Sequence, residues 1–143
     1  MNVAMDDPYH LKRFVDAQAP VYRHVCAELR GGRKTGHWMW FIFPQIRGLG
    51  SSEMALTYGI SSREEAIAYL AHPILGARLR ECARLVVDVD GKSIDEILGF
   101  PDNMKFQSSM TLFAYVTQQN EVFLEALQKY FGGAFDSQTI ARL

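Results

Sequence analysis

The chain has 143 residues, 48% of them hydrophobic and 22% charged, and its fifteen basic and sixteen acidic side chains leave a formal charge of -1. That length suits one domain with its own core, hiding roughly 70% of the surface an unfolded chain exposes, so no disulfide or structural metal is needed to hold it. The charge balance argues against general nucleic-acid binding, which draws on an excess of Lys and Arg, and no apolar run approaches a membrane span.

Asp7-Pro8 predicts a helix start, an N-cap followed by a first-turn proline, with Leu11, Phe14 and Val15 on one face. The residues before it hold neither a basic region nor a long apolar stretch, so no secretory signal is read and the expected address is the cytoplasm. Pro20 kinks this first helix or starts a second. Val21, Val25 and Leu29 continue the helical spacing until Gly31-Gly32 stops it. Trp38 to Phe43 are apolar without a break, a run too short to separate a strand from a buried helix. Ser51 or Ser52 caps a short helix through Met54 and Leu56.

Ser62-Arg-Glu-Glu65 has capping-box spacing, and Ala66, Ile67 and Leu70 follow. Pro73 opens a helix in which Leu75, Leu79, Cys82 and Val86 share a face. Ser93-Ile-Asp-Glu96 is a second capping box, ended by Gly99. Asp102 caps a longer helix with Phe106, Met110, Phe113 and Ala114 on one face. Asn120-Glu121 opens another, with Phe123, Leu124 and Leu127, which Gly132-Gly133 ends. Asp136 begins a last turn or two. Leu85 to Val89 is rich in β-branched residues but closes a helical pattern. The expected fold is all-α: a single compact domain over residues 1–143, made of many short helices packed irregularly rather than as a regular bundle. No linker and no internal repeat interrupts it.

Cys26 and Cys82 both fall in apolar helical patterns and read as small core residues. Two cysteines and four scattered histidines offer no zinc spacing. No metal and no cofactor is expected.

Six blocks carry a family resemblance: Leu11-Lys-Arg-Phe-Val-Asp-Ala-Gln18, His37-Trp-Met-Trp-Phe-Ile-Phe-Pro-Gln45, Gly48-Leu-Gly-Ser51, Tyr69-Leu-Ala-His-Pro-Ile-Leu-Gly76, Arg78-Leu-Arg-Glu-Cys82 and Lys105-Phe-Gln-Ser-Ser-Met-Thr-Leu-Phe113. They resemble the DUF 1810 family of bacterial proteins of unknown function over nearly the whole chain. The resemblance implies a compact, mostly helical domain. It implies no activity, so the functional reading has to come from the residues.

The aromatic block is the place to look. Trp38, Trp40, Phe41 and Phe43 would bury about 150–250 Å² each, worth together on the order of 15–25 kcal/mol as an upper bound. Most of the block is therefore core, with one tryptophan edge left to line a cavity. Its flanks hold the residue types that face ligands: Lys34, His37, Gln45, Arg47, Ser51 and Ser52. His37 stands at the boundary of core and solvent, either as a packing residue or as a proton handler near neutral pH. Arg47-Gly-Leu-Gly-Ser-Ser52 reads as a plain glycine turn with a serine cap, or as an anion site in which the Gly48 and Gly50 backbone converges. Lys105, Ser108 and Ser109 share a helix face, which is either solvated or opposed to that turn. His72 reads as a helix-start residue, and Arg78, Arg80 and Arg84 with Glu81 as a solvated face. Asp16 and Gln18 are either exposed or reach the same pocket.

The leading expectation is a pocket between the Lys34–Ser52 segment and the helix face at Lys105–Thr111. Lys34, Arg47, Lys105 and the Gly48 and Gly50 backbone would hold a phosphate. Gln45 would orient the ligand and a Trp38 or Trp40 face would stack on a ring. The ligand would be a nucleotide or phosphorylated metabolite, and any catalysis would use His37. The rival is a protein-interaction module without chemistry. RNA binding by stacking is disfavoured by the charge. Whether the protein is an enzyme, and its oligomeric state, stay open.

Overall fold

The computed structural model describes residues 6–143. Ten helices follow one another there: α1 (Lys12–Gln18), α2 (Tyr22–Arg30), α3 (Met39–Ile42), α4 (Glu53–Tyr58), α5 (Arg63–Ala71), α6 (Leu75–Val87), α7 (Ile94–Leu98), α8 (Asp102–Val116), α9 (Glu121–Phe131) and α10 (Ser137–Ala141). No strand forms among the described residues, and one isolated parallel bridge joins Ile46 to Ile60. The fold is all-α, as expected. No described helix is long and apolar enough to cross a membrane. Residues 1–5, which carry much of the reading on a secretory signal, lie outside the described part.

α8 is the central helix. From Phe106 to Ala114 every residue but Gln107 is buried, the mark of an interior helix rather than an amphipathic one. α5, α7, α9 and α10 pack around it, while α6 lies against α2, α5 and α9. The face carrying Ser108, Ser109 and Thr111 is therefore not solvated. The segment leading into α10 covers part of it: Ser108 Oγ donates to Asp136 Oδ2 (2.9 Å), and the Asp136 N–H donates to Thr111 Oγ1 (2.9 Å). Ser109 is fully buried, and its hydroxyl has no partner among the described residues.

Within Trp38 to Phe43, Met39–Ile42 form the single turn α3, and every residue of the block but Trp40 is buried. Phe43 meets Phe106 edge-on with ring centres 5.0 Å apart, which ties the block to α8. Pro20 ends α1 and separates it from α2.

Several local readings need correction. α1 starts at Lys12, not Pro8, because His10 takes a positive φ of 52° and turns the chain first. Asp7 instead accepts from the Leu11 and Lys12 N–H groups at 2.9 and 3.0 Å. Only half of the first capping box forms: Ser62 accepts from the Glu65 N–H, but the Glu65 carboxylate goes to Ser61 and to Arg13 (2.8 Å). The box at Ser93 is complete. Asp102 caps nothing, since a lysine claims its carboxylate. Asn120 and Glu121 do open α9, with the Asn120 amide donating to the Ala114 carbonyl.

The arginine face of α6 is likewise not simply solvated. Arg78 lies over the Tyr22 ring and reaches Gln18, Arg80 donates to the Gln119 carbonyl, and Arg84 forks onto Glu125 at 2.7 and 3.1 Å. Tyr22 donates to Glu81. These are ties between elements. Gln18 is buried against α3 and α5, donating to the Phe41 carbonyl and the Tyr69 hydroxyl. His72 does start a helix, its Nδ1 accepting from Ile74 and Leu75. Both cysteines are free and buried, and burial pushes the Cys82 thiol well above its ordinary range.

Candidate functional site

The chain leaving α3 is pinned before it reaches the glycine turn. The Arg47 N–H donates to the Ile60 carbonyl and the Ile60 N–H to the Gln45 carbonyl, both at 2.8 Å. The backbone on either side of Ile46 is thus held by the bridge, while the Gln45 side-chain amide has no partner among the described residues. Gly48 then takes a φ of 104°, where a side chain is strained, and a Cβ there would stand 2.8 Å from the Arg142 guanidinium. The turn brings Gly50, Ser51 and Ser52 back toward α8. Ser52 caps α4 through the Ala55 N–H at 3.1 Å.

Between this loop and α8 lies a cleft of about 400 Å³, within the range of small-molecule sites. Trp40 and Gln45 line it. Leu49, Gly50, Ser51 and Ser52 form one wall, and Met104, Lys105, Gln107 and Ser108 of α8 form the other. Pro101 borders it on one side, and Asp136 and Gln138 close it on another. A second, water-sized hollow shares Trp40, Gln45 and Gly50 and reaches Gly48 and Tyr58.

Charge enters the cleft from two sides. Lys105 Nζ stands 3.7 Å from Asp102 Oδ1, while the other oxygen of Asp102 is held by Lys34 Nζ at 2.9 Å. The two lysines share one carboxylate, so Lys105 is only partly compensated. Lys34 also donates to the Gly36 carbonyl at 2.7 Å and lies over Trp38. Asp136, hydrogen-bonded to Ser108, adds a carboxylate to the lining. The Trp40 indole N–H has no partner among the described residues.

The structure thus brings Trp40, Gln45, Gly50, Ser51, Ser52, Lys105 and Ser108 together around one hollow. It does not bring Lys34, His37, Trp38, Arg47 or Ser109 to the cleft wall. Lys34 supports the site through Asp102. His37 is exposed with no hydrogen bond among the described residues. Trp38 is buried and donates to Glu28. Arg47 reaches the Gly59 carbonyl on another face, beside His10, Arg13 and Glu65. Gly48 lines only the small hollow.

Two residues that matter here have no local signature. Asp136 lines the cleft from 28 positions beyond Ser108. Glu28 braces the loop before α3, its Oε1 accepting from the Thr35 and Gly36 N–H groups and from Trp38 Nε1 at 2.7, 2.9 and 3.0 Å. Burial acts to raise the Glu28 carboxyl, but the hydrogen bonds from Gly36, Thr35 and Trp38 outweigh it and hold the group below the ordinary carboxylate range. No group of three His, Cys, Asp or Glu side chains placed to hold a metal occurs among the described residues.

The profile of a family described as a protein of unknown function, DUF1810, matches residues 8–143. Comparison with curated proteins finds no match. Among solved structures, the chain is similar to the conserved hypothetical protein Rv1873 from Mycobacterium tuberculosis, determined at 1.38 Å. The two are 63% identical over 96% of this chain and 98% of that one, with a TM-score of 0.95. That likeness carries the fold and names no activity.

Proposed function

We propose, for a chain that belongs to the DUF1810 family of proteins of unknown function, that the cleft between the Gln45–Ser52 loop and α8 binds a phosphate-bearing small molecule, a nucleotide or phosphorylated metabolite. One observation carries this reading. The Lys105 ammonium, the Trp40 indole N–H and the Gln45 amide meet at one hollow without a hydrogen-bond partner among the described residues. All three are half-buried, so water satisfies them in the free protein, and a ligand that supplies matching groups takes the place of that water. Three left open in one concave place are ready for a ligand.

In this reading Lys105 is the point charge for the phosphate. Gln45 fixes orientation with its donor and its acceptor, and Trp40 adds a further donor. Gly50, Ser51 and Ser52 form the opposing wall. Lys34 is a positioning residue that occupies Asp102 and so leaves the charge of Lys105 to the cleft. His37 and Arg47 take no part, and the reading is binding rather than catalysis.

The rival, a protein-interaction module, draws on one observation: Phe100 and Met104, beside and on the rim, are 78% and 57% exposed. Thermal unfolding with phosphate monoesters separates the two, against a chloride control of equal ionic strength. A ligand at a hundred times its dissociation constant adds about 2.7 kcal/mol of apparent stability. No rise with any monoester would reject the small-molecule reading.

A further inference from the structure

We infer that the cleft selects a phosphate monoester of a hydroxylated sugar, and that Asp136 is the residue that reads the hydroxyls. This rests on the reading of the cleft as a phosphate site. Asp136 is held in place on three sides. Its Oδ2 accepts from Ser108 Oγ (2.9 Å), from Thr139 Oγ1 (2.5 Å) and from the Thr139 N–H (3.3 Å). Its own N–H donates to Thr111 Oγ1. All the side-chain bonds fall on one oxygen. Oδ1 has no partner among the described residues, and the residue lines the cleft. A carboxylate oxygen fixed in this way accepts hydrogen bonds and donates none. It therefore favours a ligand group that brings its own hydrogens.

Spacing narrows the class. Lys105 and Ser108 are three positions apart on α8, so their Cβ atoms are separated by about 5–6 Å. Asp136 is hydrogen-bonded to Ser108. The cation and the carboxylate thus line one cleft from anchor points about one helical turn apart on α8. A ligand that satisfies both carries an anion at one end and hydroxyl donors a few bonds away, as a sugar phosphate or nucleoside monophosphate does. Inorganic phosphate reaches only Lys105. A chain of phosphates brings further negative charge toward Asp136, and like charges at such range repel.

The test is titration calorimetry with ribose 5-phosphate, n-butyl phosphate and inorganic triphosphate. Ribose 5-phosphate is expected to bind at least about tenfold more tightly than butyl phosphate, the margin of one hydrogen bond to a charged group. Triphosphate is expected to bind most weakly. Asp136→Ser keeps a cap for α10 and removes the open oxygen, so the preference for ribose 5-phosphate over butyl phosphate should fall toward one. Equal binding of the two monoesters to the parent protein overturns this inference and leaves the phosphate reading standing, as does triphosphate binding tightest. No binding by any of the three removes the phosphate reading, and the inference with it. The comparison on the parent protein decides the matter even if the variant fails to fold.

Discussion

Lys105 holds its ammonium 5.1 Å from the centre of the Trp40 ring. The cation and the indole come from α8 and from α3, and both line the cleft. A partly exposed cation–π contact of this kind is worth about 0.5–1 kcal/mol, and an ion pair as long as that to Asp102 adds little. Lys105→Ala is therefore expected to keep folding stability within about 1 kcal/mol of the parent. Trp38→Ala empties a buried site and is expected to cost about 3–5 kcal/mol. Urea unfolding of both variants checks the contrast.

Arg13 is the strongest single tie between the first helix and the middle of the chain. Its guanidinium donates to the Thr57, Tyr9, His10 and Gly59 carbonyls and pairs with Glu65 at 2.8 Å. Both side chains of the pair are shielded, at 13% and 3% exposure. Removing one partner leaves the other charge buried alone. Arg13→Ala is expected to lose about 3–5 kcal/mol, measured by denaturant unfolding. A loss under about 1 kcal/mol would show that water reaches Glu65.

Gly76 marks the closest approach of α5 and α6. A Cβ there would lie 2.1 Å from the Leu70 carbonyl oxygen, which is backbone and has no free rotor to move aside. Gly76→Ala is expected to destabilise by about 2 kcal/mol or more through overpacking, despite alanine's better helix propensity. A stabilised variant would contradict that packing.

Glu28 links acid sensitivity to the loop that leads into α3. Its folded carboxyl titrates below the ordinary 4.5, so it stabilises the fold fully above that pH and progressively less as the pH falls through the lower folded value. Glu28→Gln should be less stable than the parent at neutral pH, and the gap should close in acid below about 4.5. Unfolding free energies measured across that range check it, and a gap independent of pH would contradict it.

What the sequence made legible follows from the range of the interactions. The Ser52, Ser93 and Ser62 caps act over three residues, and each left a local pattern. The helical periods of α2, α6 and α9 come from one face meeting a core and were equally plain. Trp38 to Phe43 stayed ambiguous because one helical turn shows no period. Asp136 was legible as the start of α10 but not as a cleft residue, and Arg13 and Glu28 not as scaffold residues, since those roles rest on contacts with chain that is remote or irregular. The same reason explains the Ser108–Ser109 face: only the return of the chain at Asp136 shows that it is covered. Lys105 and the glycine turn were grouped from composition alone, whereas Arg47, from the same turn, lies on another face.

The most direct test is the affinity of ribose 5-phosphate for the parent protein and for Lys105→Ala, both followed by titration calorimetry. Saturable binding to the parent is expected, with at least about a tenfold loss in the variant, the margin of one charge-assisted contact. Equal affinity in the two proteins, or no saturable binding to the parent, would contradict it.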